Sequence, residues 1–416
     1  MKGIHDLGYL HPTPVQEQAI PPILQGGDLI VCAQTGSGKT AAFVLPILHR
    51  LMENPAKKPG VRALIVAPTR ELAVQSTEHL GNLSRFVPLR GLAIYGGVPM
   101  YPQTKALKEG VEIISATPGR LLDHVYEGRI DFGALEVLVL DEADRMMDMG
   151  FLPDVERIIS LLPPKRQTLI VSATMPEDIL RLVKKITHNP KMVQVGLRTS
   201  TAAGIRHAVY LVSHEQKTDL LLRLLNQQGE TMSSVIVFTR TKVAAEKLGR
   251  TLERAGIRTA TIHGDRSQQQ RTYALDHFKQ GRSQVLVATD VAARGIDVKD
   301  ISHVINFHMP QTAEDYIHRA GRTARAGAEG DAFSLVAPDE EEMLNEIEKI
   351  INQKLPRVTL PDFPYGKGAA PQGRPQHRQG QGGHGRPQHG GQGGGGPRRH
   401  FRGGQGGQRP GGRPSH

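Results

Sequence analysis

The sequence predicts an α/β protein with two tandem domains, each built on a parallel sheet, and a basic tail. The chain of 416 residues is long enough for this arrangement. Short β-branched runs alternate with longer amphipathic stretches between residues 28 and 196, as βαβ units do. The alternation starts again near residue 205, and from Gly366 the chain is almost wholly Gly, Gln, Pro, Arg and His.

The first domain is predicted over residues 1–196. Residues 71–83 and 155–162 have helical spacing of their apolar side chains and separate strand candidates from one another. Strands joined through helices pair in parallel, so we expect one parallel sheet. The strand candidates are residues 29–33, 63–67, 91–95, 112–115, 137–141 and 168–172.

The second domain is predicted over residues 205–357, after a small, polar segment (196–204) that predicts a linker at 197–204. It repeats the alternation without repeating the sequence. The strand candidates are residues 208–212, 234–238, 259–262, 284–289, 304–307 and 332–336. The helix candidates are residues 217–228, 242–255 and 268–280, with a terminal helix at 340–353.

The tail is assigned to residues 358–416, because Pro356, Pro361 and Pro364 break the pattern before the composition changes. Such a segment cannot bury enough apolar surface to offset its ordering entropy, so it is predicted to be disordered. From Lys367 it holds nine basic residues and no acid, which accounts for most of the net charge of +11. This favours a polyanionic partner, with a merely solubilising tail as the alternative. Its five loosely spaced histidines leave metal binding as a weaker alternative.

Composition also bears on the compartment. The one cysteine, Cys32, excludes an intramolecular disulfide and lies in an apolar run, so we expect it to be a buried hydrophobic residue in a reducing environment. No run approaches the roughly 20 apolar residues of a membrane span. The first residues contain no apolar core of signal-peptide length. A soluble, cytoplasmic protein is expected.

Residues 33–40 have the pattern of a phosphate-binding loop between a strand and a helix. The glycines let the backbone turn sharply and direct N–H groups at phosphate oxygens, and the helix N-terminus adds partial positive charge. Lys39 is expected to reach the β- and γ-phosphates, and the Thr40 hydroxyl to ligate Mg²⁺. The predicted nucleotide-binding residues of this loop are Gln34, Thr35, Gly36, Ser37, Gly38, Lys39 and Thr40.

Asp141 and Glu142 follow the apolar run 137–140, at the end of a strand where α/β sheets bind ligands. Asp141 suits a Mg²⁺ ligand, and Glu142 suits the orientation and deprotonation of an attacking water. Acids that merely solvate a strand end are the alternative. Together, the phosphate loop and this acid pair predict that the chain binds and hydrolyses a nucleoside triphosphate.

The sequence Asp141-Glu142-Ala143-Asp144 resembles the signature of DEAD-box RNA helicases of superfamily 2, and the phosphate loop beginning with Ala33 is similar to that family's usual form. The resemblance covers residues 8–355, and the short body with its Gly/Arg-rich tail looks most like the bacterial RhlE-type subgroup. It implies two RecA-like domains. The other matching segments, in order, are residues 8–16, 68–72, 96–97, 117–120, 172–174, 237–240, 268–271, 288–297 and 318–325.

The resemblance implies ATP as the nucleotide, because the Gln16 amide can both donate to and accept from an adenine edge. It implies that Asp297 holds the ribose and that Arg322 and Arg325 act as arginine fingers from the second domain. Ala324 replaces a glycine often found there, and we expect a helical context to tolerate it. Ser172, Thr174, Asp144 and His318 are implied to couple the ATP site to RNA. Hydrolysis would then require the cleft between the domains to close.

The resemblance further implies RNA contacts that fall mostly on phosphate and sugar and carry little base preference. The function expected is an ATP-dependent RNA helicase or remodelling enzyme, with the tail as a nonspecific RNA tether. Two alternatives stay open, a nonenzymatic RNA-binding or annealing protein and a DNA translocase. Taken singly, Arg70 and Arg120 could also be surface ion-pair residues. The candidate RNA contacts are Arg70, Gly97, Thr117, Arg120, Arg271 and Thr289.

Overall fold

The computed structural model describes residues 2–33, 36–55, 60–195, 204–227, 231–293, 298, 301–324 and 329–365. The predictions for Gln34, Thr35, Asp297 and Arg325 lie outside these residues, as do those for the linker up to residue 203 and the tail from residue 366. Everything described belongs to one compact unit, Met1–Pro371. Two sheets organise this unit, and each with its helices is called a lobe below.

The first lobe is built on a sheet that has seven parallel strands among the described residues, in the order β3-β4-β2-β5-β6-β1-β7. The strands are β1 (Leu29–Ala33), β2 (Ala63–Val66), β3 (Gly91–Ile94), β4 (Ile113–Ala116), β5 (Val137–Asp141), β6 (Gln167–Ser172) and β7 (Lys191–Val195). The helices are α1 (Lys2–Asp6), α2 (Pro14–Leu24), α3 (Lys39–Glu53), α4 (Arg70–Leu83), α5 (Met100–Glu109), α6 (Pro118–Tyr126), α7 (Ala143–Asp148), α8 (Leu152–Ser160) and α9 (Glu177–Ile186).

The second lobe repeats the plan, with seven parallel strands in the described part ordered β10-β11-β9-β12-β13-β8-β14. The strands are β8 (Ile205–Leu211), β9 (Val235–Thr239), β10 (Thr259–Ile262), β11 (Val285–Thr289), β12 (His303–Asn306), β13 (Gly330–Val336) and β14 (Arg357–Val358). The helices are α10 (Lys217–Gln227), α11 (Lys242–Arg254), α12 (Gln268–Lys279), α13 (Asp290–Ala293), α14 (Ala313–Ala320) and α15 (Glu341–Ile351), with 3₁₀ turns at His214–Gln216 and Pro338–Glu340.

The predicted α/β class with two parallel sheets is confirmed, and so is the burial of Cys32. The sequence analysis missed β7 and β14, the strands at one edge of each sheet. The tail boundary at residue 358 was wrong. Val358 pairs with Tyr210 in the sheet and Leu360 is buried in the second lobe's core, so ordered chain continues to Tyr365. Three prolines had masked this short apolar segment.

The interior of each lobe lies on both faces of its sheet. Leu138 and Leu140 of β5 pack into one apolar cluster, whereas Val137 and Val139 pack into another on the opposite face. Strands covered on both faces read as continuous apolar runs, which explains their clear signal in the sequence. Of the helices described, none is long and apolar enough to cross a membrane.

The strand order decides which loops meet. Because all strands run in parallel, their carboxyl ends share one edge of the sheet, and β5, β6 and β1 are neighbours there. Asp141 ends β5, Ser172 ends β6, and the phosphate loop follows β1. Segments more than a hundred residues apart in the chain therefore converge at one edge.

Candidate functional site

The phosphate loop is fastened to the start of α2. Gln16 accepts a hydrogen bond from the Thr13 amide at 3.0 Å and donates one to the Gly38 carbonyl at 3.2 Å. The Thr13 hydroxyl donates to the Ser37 carbonyl at 2.8 Å. Gly38 has φ +92°, and a Cβ there would lie 2.6 Å from the Gln16 amide nitrogen, so glycine is required by both conformation and space. Gln16 is 6% exposed, so it is a buried residue and not part of an exposed turn.

Lys39 lies at the first position of α3 and points its ammonium back into the loop. Its Nζ donates to the Ala33 carbonyl at 2.7 Å, and the side chain is buried. Burial lowers the pKa of Lys39, while the nearby carboxylates of Glu142 and Asp141 oppose that shift. Thr40 follows it at the helix N-terminus, where backbone N–H groups and the helix dipole favour an anion. The loop thus presents donors and a cation to one enclosed space.

Asp141 and Glu142 place two acids beside that space. Burial, and next the charge of Glu142, raise the pKa of Asp141 from 3.8 to about 7. Asp141 Oδ1 accepts a hydrogen bond from the Glu142 amide at 3.1 Å. Glu142 itself has φ +49°, a left-handed conformation that costs a non-glycine residue about 1–2 kcal/mol. The fold thus holds a strained, buried acid pair at the carboxyl end of β5.

These residues fit a magnesium ion. The raised pKa of Asp141 shows more negative charge than this buried site can solvate, and a divalent cation would relieve it. A carboxylate and the Thr40 hydroxyl are hard oxygen ligands of the kind Mg²⁺ prefers, with water and phosphate supplying the rest. Across the described ranges, no three His, Cys, Asp or Glu side chains form a metal cluster.

Asp144 links this acid pair to the loop after β6. Its Oδ2 accepts hydrogen bonds from the amides of Ala173 (3.2 Å) and Thr174 (2.8 Å) and from the Thr174 hydroxyl (2.9 Å). The Ser172 hydroxyl accepts from the Asp144 amide at 3.2 Å and donates to the Thr174 carbonyl at 2.7 Å. The predicted coupling residues of the first lobe therefore form one closed network.

A cluster of cations joins the two lobes. Arg271 of α12 pairs with Glu71 of α4, with Nε and Nη2 at 2.9 and 2.8 Å from the same carboxylate oxygen. Both side chains are less than 10% exposed. Burial, and then the charges of Arg271 and Arg120, lower the pKa of Arg70, which shows that three arginines crowd together here. A Cβ at Gly97, where φ is +80°, would collide with the Arg70 guanidinium.

The remaining RNA candidates lie at the ends of helices and strands or beside them. Arg120 donates to the Val98 carbonyl at 3.1 Å, and its buried Nε has no hydrogen-bond partner. Thr117 caps the N-terminus of α6, and Thr289 ends β11. Arg70, which contacts Gly97 and interacts electrostatically with Arg120, thus lies near Arg271 of the second lobe. Their contact with RNA remains a prediction.

Helix α14 carries the second lobe's candidates. His318 is buried, and its Nδ1 has no hydrogen-bond partner. Arg322 follows the end of the helix and is 6% exposed. The expectation of a helical context for Ala324 was wrong, because it lies after the helix with φ +53°. Alanine is strained in this left-handed conformation and glycine is not.

Sequence reasoning missed the residues that hold these elements in place. Arg319 makes two 2.6 Å bonds to the Asp290 carboxylate, donates to Asn306 and to the His308 carbonyl, and lies 5.0 Å from the Phe238 ring centre. No local pattern indicated the ion pairs Glu71–Arg271 and Arg145–Asp315, which join the lobes in the described part of the chain.

Comparison with known proteins agrees with this geometry. The DEAD/DEAH box helicase family matches residues 13–182, and the helicase conserved C-terminal domain matches residues 216–327. The ATP-dependent RNA helicase CshA of Listeria monocytogenes is 43% identical over 363 residues, 87% of this chain and 69% of that protein. The DEAD-box ATP-dependent RNA helicase RhpA of Helicobacter pylori is 42% identical over 361 residues, 87% of this chain and 72% of that one.

Among solved structures, S. cerevisiae Dbp5 bound to RNA and ADP BeF3 is similar, with a TM-score of 0.77 and 32% identity. The alignment covers 86% of this chain and 92% of Dbp5, so it spans both lobes. The two lobes therefore have the fold of this relative. The chain belongs to the DEAD/DEAH box helicase family.

Proposed function

We propose that this protein is an ATP-dependent RNA helicase that couples RNA-stimulated ATP hydrolysis to local duplex separation or to remodelling of RNA–protein complexes. The observation that carries the proposal is the arginine cluster across the cleft. Arg70 of the first lobe lies within electrostatic range of Arg120 and of Arg271 on the second lobe, and the buried Glu71 pairs with Arg271. Such a surface fits a polyanionic backbone that contacts both lobes at once.

In this proposal the first lobe supplies the hydrolytic groups. Lys39 and the phosphate loop bind the triphosphate of ATP, and Gln16 contacts the adenine edge with the donor and acceptor capacity left after its two present bonds. Thr40 and Asp141 would hold Mg²⁺, which neutralises phosphate charge when bound. Glu142 orients the attacking water and accepts its proton.

The second lobe completes the site. Arg322 lies on the lobe opposite to Lys39 and Glu142, so we assign it to the γ-phosphate, with Arg325 beside it and Asp297 on the ribose. Closure is then a precondition of hydrolysis. RNA and ATP would each favour the closed arrangement, and by linkage each should tighten binding of the other. Ser172, Thr174, Asp144 and His318 are proposed to relay that closure.

Three finer assignments belong to the same proposal. Residues 1–196 are proposed as the first domain, and the second domain is proposed to begin at residue 205, after a linker at 197–204. The RhlE-type subgroup is proposed on the short body and the Gly/Arg-rich tail. The tail is proposed as an RNA tether, on its nine basic residues, its Arg402-Gly403-Gly404 and its two copies of Gly-Arg-Pro-Gln-His at 373–377 and 385–389.

The test is phosphate release by the full chain with no nucleic acid, with single-stranded RNA and with DNA of the same sequence. Stimulation by RNA but not by DNA supports the proposal. Equal stimulation by DNA would favour a DNA translocase, and no hydrolysis would favour a nonenzymatic RNA-binding protein. Glu142→Gln should abolish turnover while ATP-dependent RNA binding persists. The matched control is Glu156→Gln, an exposed acid of the same lobe that pairs with Lys185 and should leave turnover unchanged.

A further inference from the structure

In the described part of the chain the two lobes share a second ion pair, on helices that carry none of the RNA candidates. Arg145, the residue after Asp144, donates from Nη1 to Asp315 Oδ1 at 2.8 Å. The Arg145 side chain is 5% exposed and that of Asp315 is 18% exposed. Arg145 belongs to α7 of the first lobe and Asp315 to α14 of the second. We propose that this pair is a latch that positions α14, and with it Arg322, against the hydrolytic acids when the cleft closes.

On the first lobe, the latch begins inside the network that holds Asp144. The Arg145 amide donates to Asp144 Oδ1 at 3.0 Å, while the other oxygen of that carboxylate binds the loop of Ala173 and Thr174. Arg145 is therefore tied through the adjoining residue to the groups around the acid pair.

On the second lobe, Asp315 lies in the first turn of α14, where contacts within its own lobe fix its side chain. The Thr312 hydroxyl accepts from the Asp315 amide at 3.1 Å and donates to Asp315 Oδ2 at 3.2 Å. The other carboxylate oxygen, Oδ1, receives Arg145. Both oxygens thus have defined roles, one fixing the helix start and one bridging the lobes.

The helix between the latch and Arg322 is short and rigid. It has eight residues, so it is about 12 Å long. Near its end Arg319 is anchored to Asp290, Asn306 and the His308 carbonyl. Fixing the first turn of a short, anchored helix to the other lobe restricts where its last turn can lie. That is how a contact at Asp315 would position Arg322.

Arg145 also has a second acid within its own lobe. Asp148, on the same helix, lies 3.7 Å from the same Nη1 and is 54% exposed. When the lobes separate, Arg145 therefore keeps a carboxylate nearby, so opening does not leave a buried charge unpaired. The latch is thus able to form and break during a catalytic cycle.

This inference rests on the proposed function, and it is tested with Arg145→Met, Asp315→Asn and the double variant. Two quantities are measured in the full chain: kcat of RNA-stimulated ATP hydrolysis, and the ratio of RNA affinities with and without ADP-beryllium fluoride. Each single variant should lower kcat and the affinity ratio by about tenfold, because close charge pairs have coupling energies of about that size. The double variant should lose no more than Arg145→Met, since the interaction can be lost only once. Arg145→Lys keeps the charge but not the planar guanidinium, so its values should lie between those of the wild type and of Arg145→Met.

The matched control is Arg157→Met, which removes an arginine paired with Asp154 at 3.2 Å inside the first lobe and should leave both quantities unchanged. Melting temperatures identify variants that lose structure, and nucleotide-free RNA affinity should be unaffected. Losses that multiply in the double variant would overturn the latch, as would single variants with wild-type values. A wild-type protein without RNA-stimulated hydrolysis would instead refute the proposed function itself.

Discussion

Replacing Asp141 by asparagine should stabilise the nucleotide-free, metal-free protein, and by more as the pH rises. Burial and the neighbouring Glu142 raise the pKa of this carboxyl from 3.8 to about 7. Between these two pH values the folded protein holds a proton that the unfolded chain has lost. The folded state therefore loses stability as pH rises through this window, and the whole penalty is present above pH 7.

Each pKa unit corresponds to about 1.4 kcal/mol, so the penalty has an upper bound of roughly 4 kcal/mol. Asparagine keeps the acceptor for the Glu142 amide. It also buries an NH₂ group, which reduces the stabilisation of the variant by about 1–3 kcal/mol at every pH. Comparing pH 8 with pH 5, we expect the advantage of the variant to grow by roughly 1–3 kcal/mol. For a lobe of this size that is a change of several degrees in Tm, on the order of 2–4 °C per kcal/mol.

The assay is thermal unfolding of wild type and variant in EDTA at pH 5, 6, 7 and 8. Asp154→Asn, a change at a surface ion pair on α8, is the control and should show a constant small offset. Adding Mg²⁺ and ATP should give the wild type the higher melting temperature, because only the wild type would be stabilised by a cation at Asp141. An offset between Asp141→Asn and wild type that did not change from pH 5 to pH 8 would refute the reasoning.

Three further predictions follow from other parts of the molecule. Glu71→Gln should weaken RNA-stimulated hydrolysis about as much as Arg271→Met, because both break the same buried pair; if Glu71→Gln had no effect, Arg271 would act on RNA alone. Ala324→Gly should change the free energy of unfolding by no more than about 1 kcal/mol, in the stabilising direction, since relief at φ +53° exceeds the added chain entropy; denaturant titration against Ala255→Gly, at φ −81°, tests it, and equal losses would contradict it. Deleting residues 367–416 should leave core hydrolysis intact and flatten the salt dependence of RNA affinity, in a plot of log affinity against log salt; an unchanged slope would remove the tether.

The fold was largely readable from the sequence because strands buried on both faces leave uninterrupted apolar runs. Twelve strand candidates were proposed, and each overlaps a strand of the structure. The strands that were missed, β7 and β14, lie at one edge of their sheets. β7 is mostly exposed and β14 has only two residues, so neither leaves a clear apolar pattern in the sequence.

The phosphate loop and the acid pair were likewise local patterns, with residue types and spacing that follow from the chemistry of phosphate and Mg²⁺. The raised pKa of Asp141, the strained φ of Glu142 and the closure of Gln16 over Gly38 were not visible, because each depends on what lies nearby in space. The wrong expectation for Ala324 has the same origin. Whether that residue continued the helix was decided by packing after α14, not by its propensity.

By itself, the sequence determined two parallel-sheet lobes, a nucleotide loop, its acids and a basic tail, because periodicity and motif spacing are properties of neighbouring residues. Only the tertiary structure decided which side chains meet across the cleft. Arg271 meets Glu71 over 200 positions of chain, and Arg145 meets Asp315 over 170. No short-range pattern encodes such a pair, since either partner alone looks like an ordinary surface charge until folding brings the lobes together and removes the water between them.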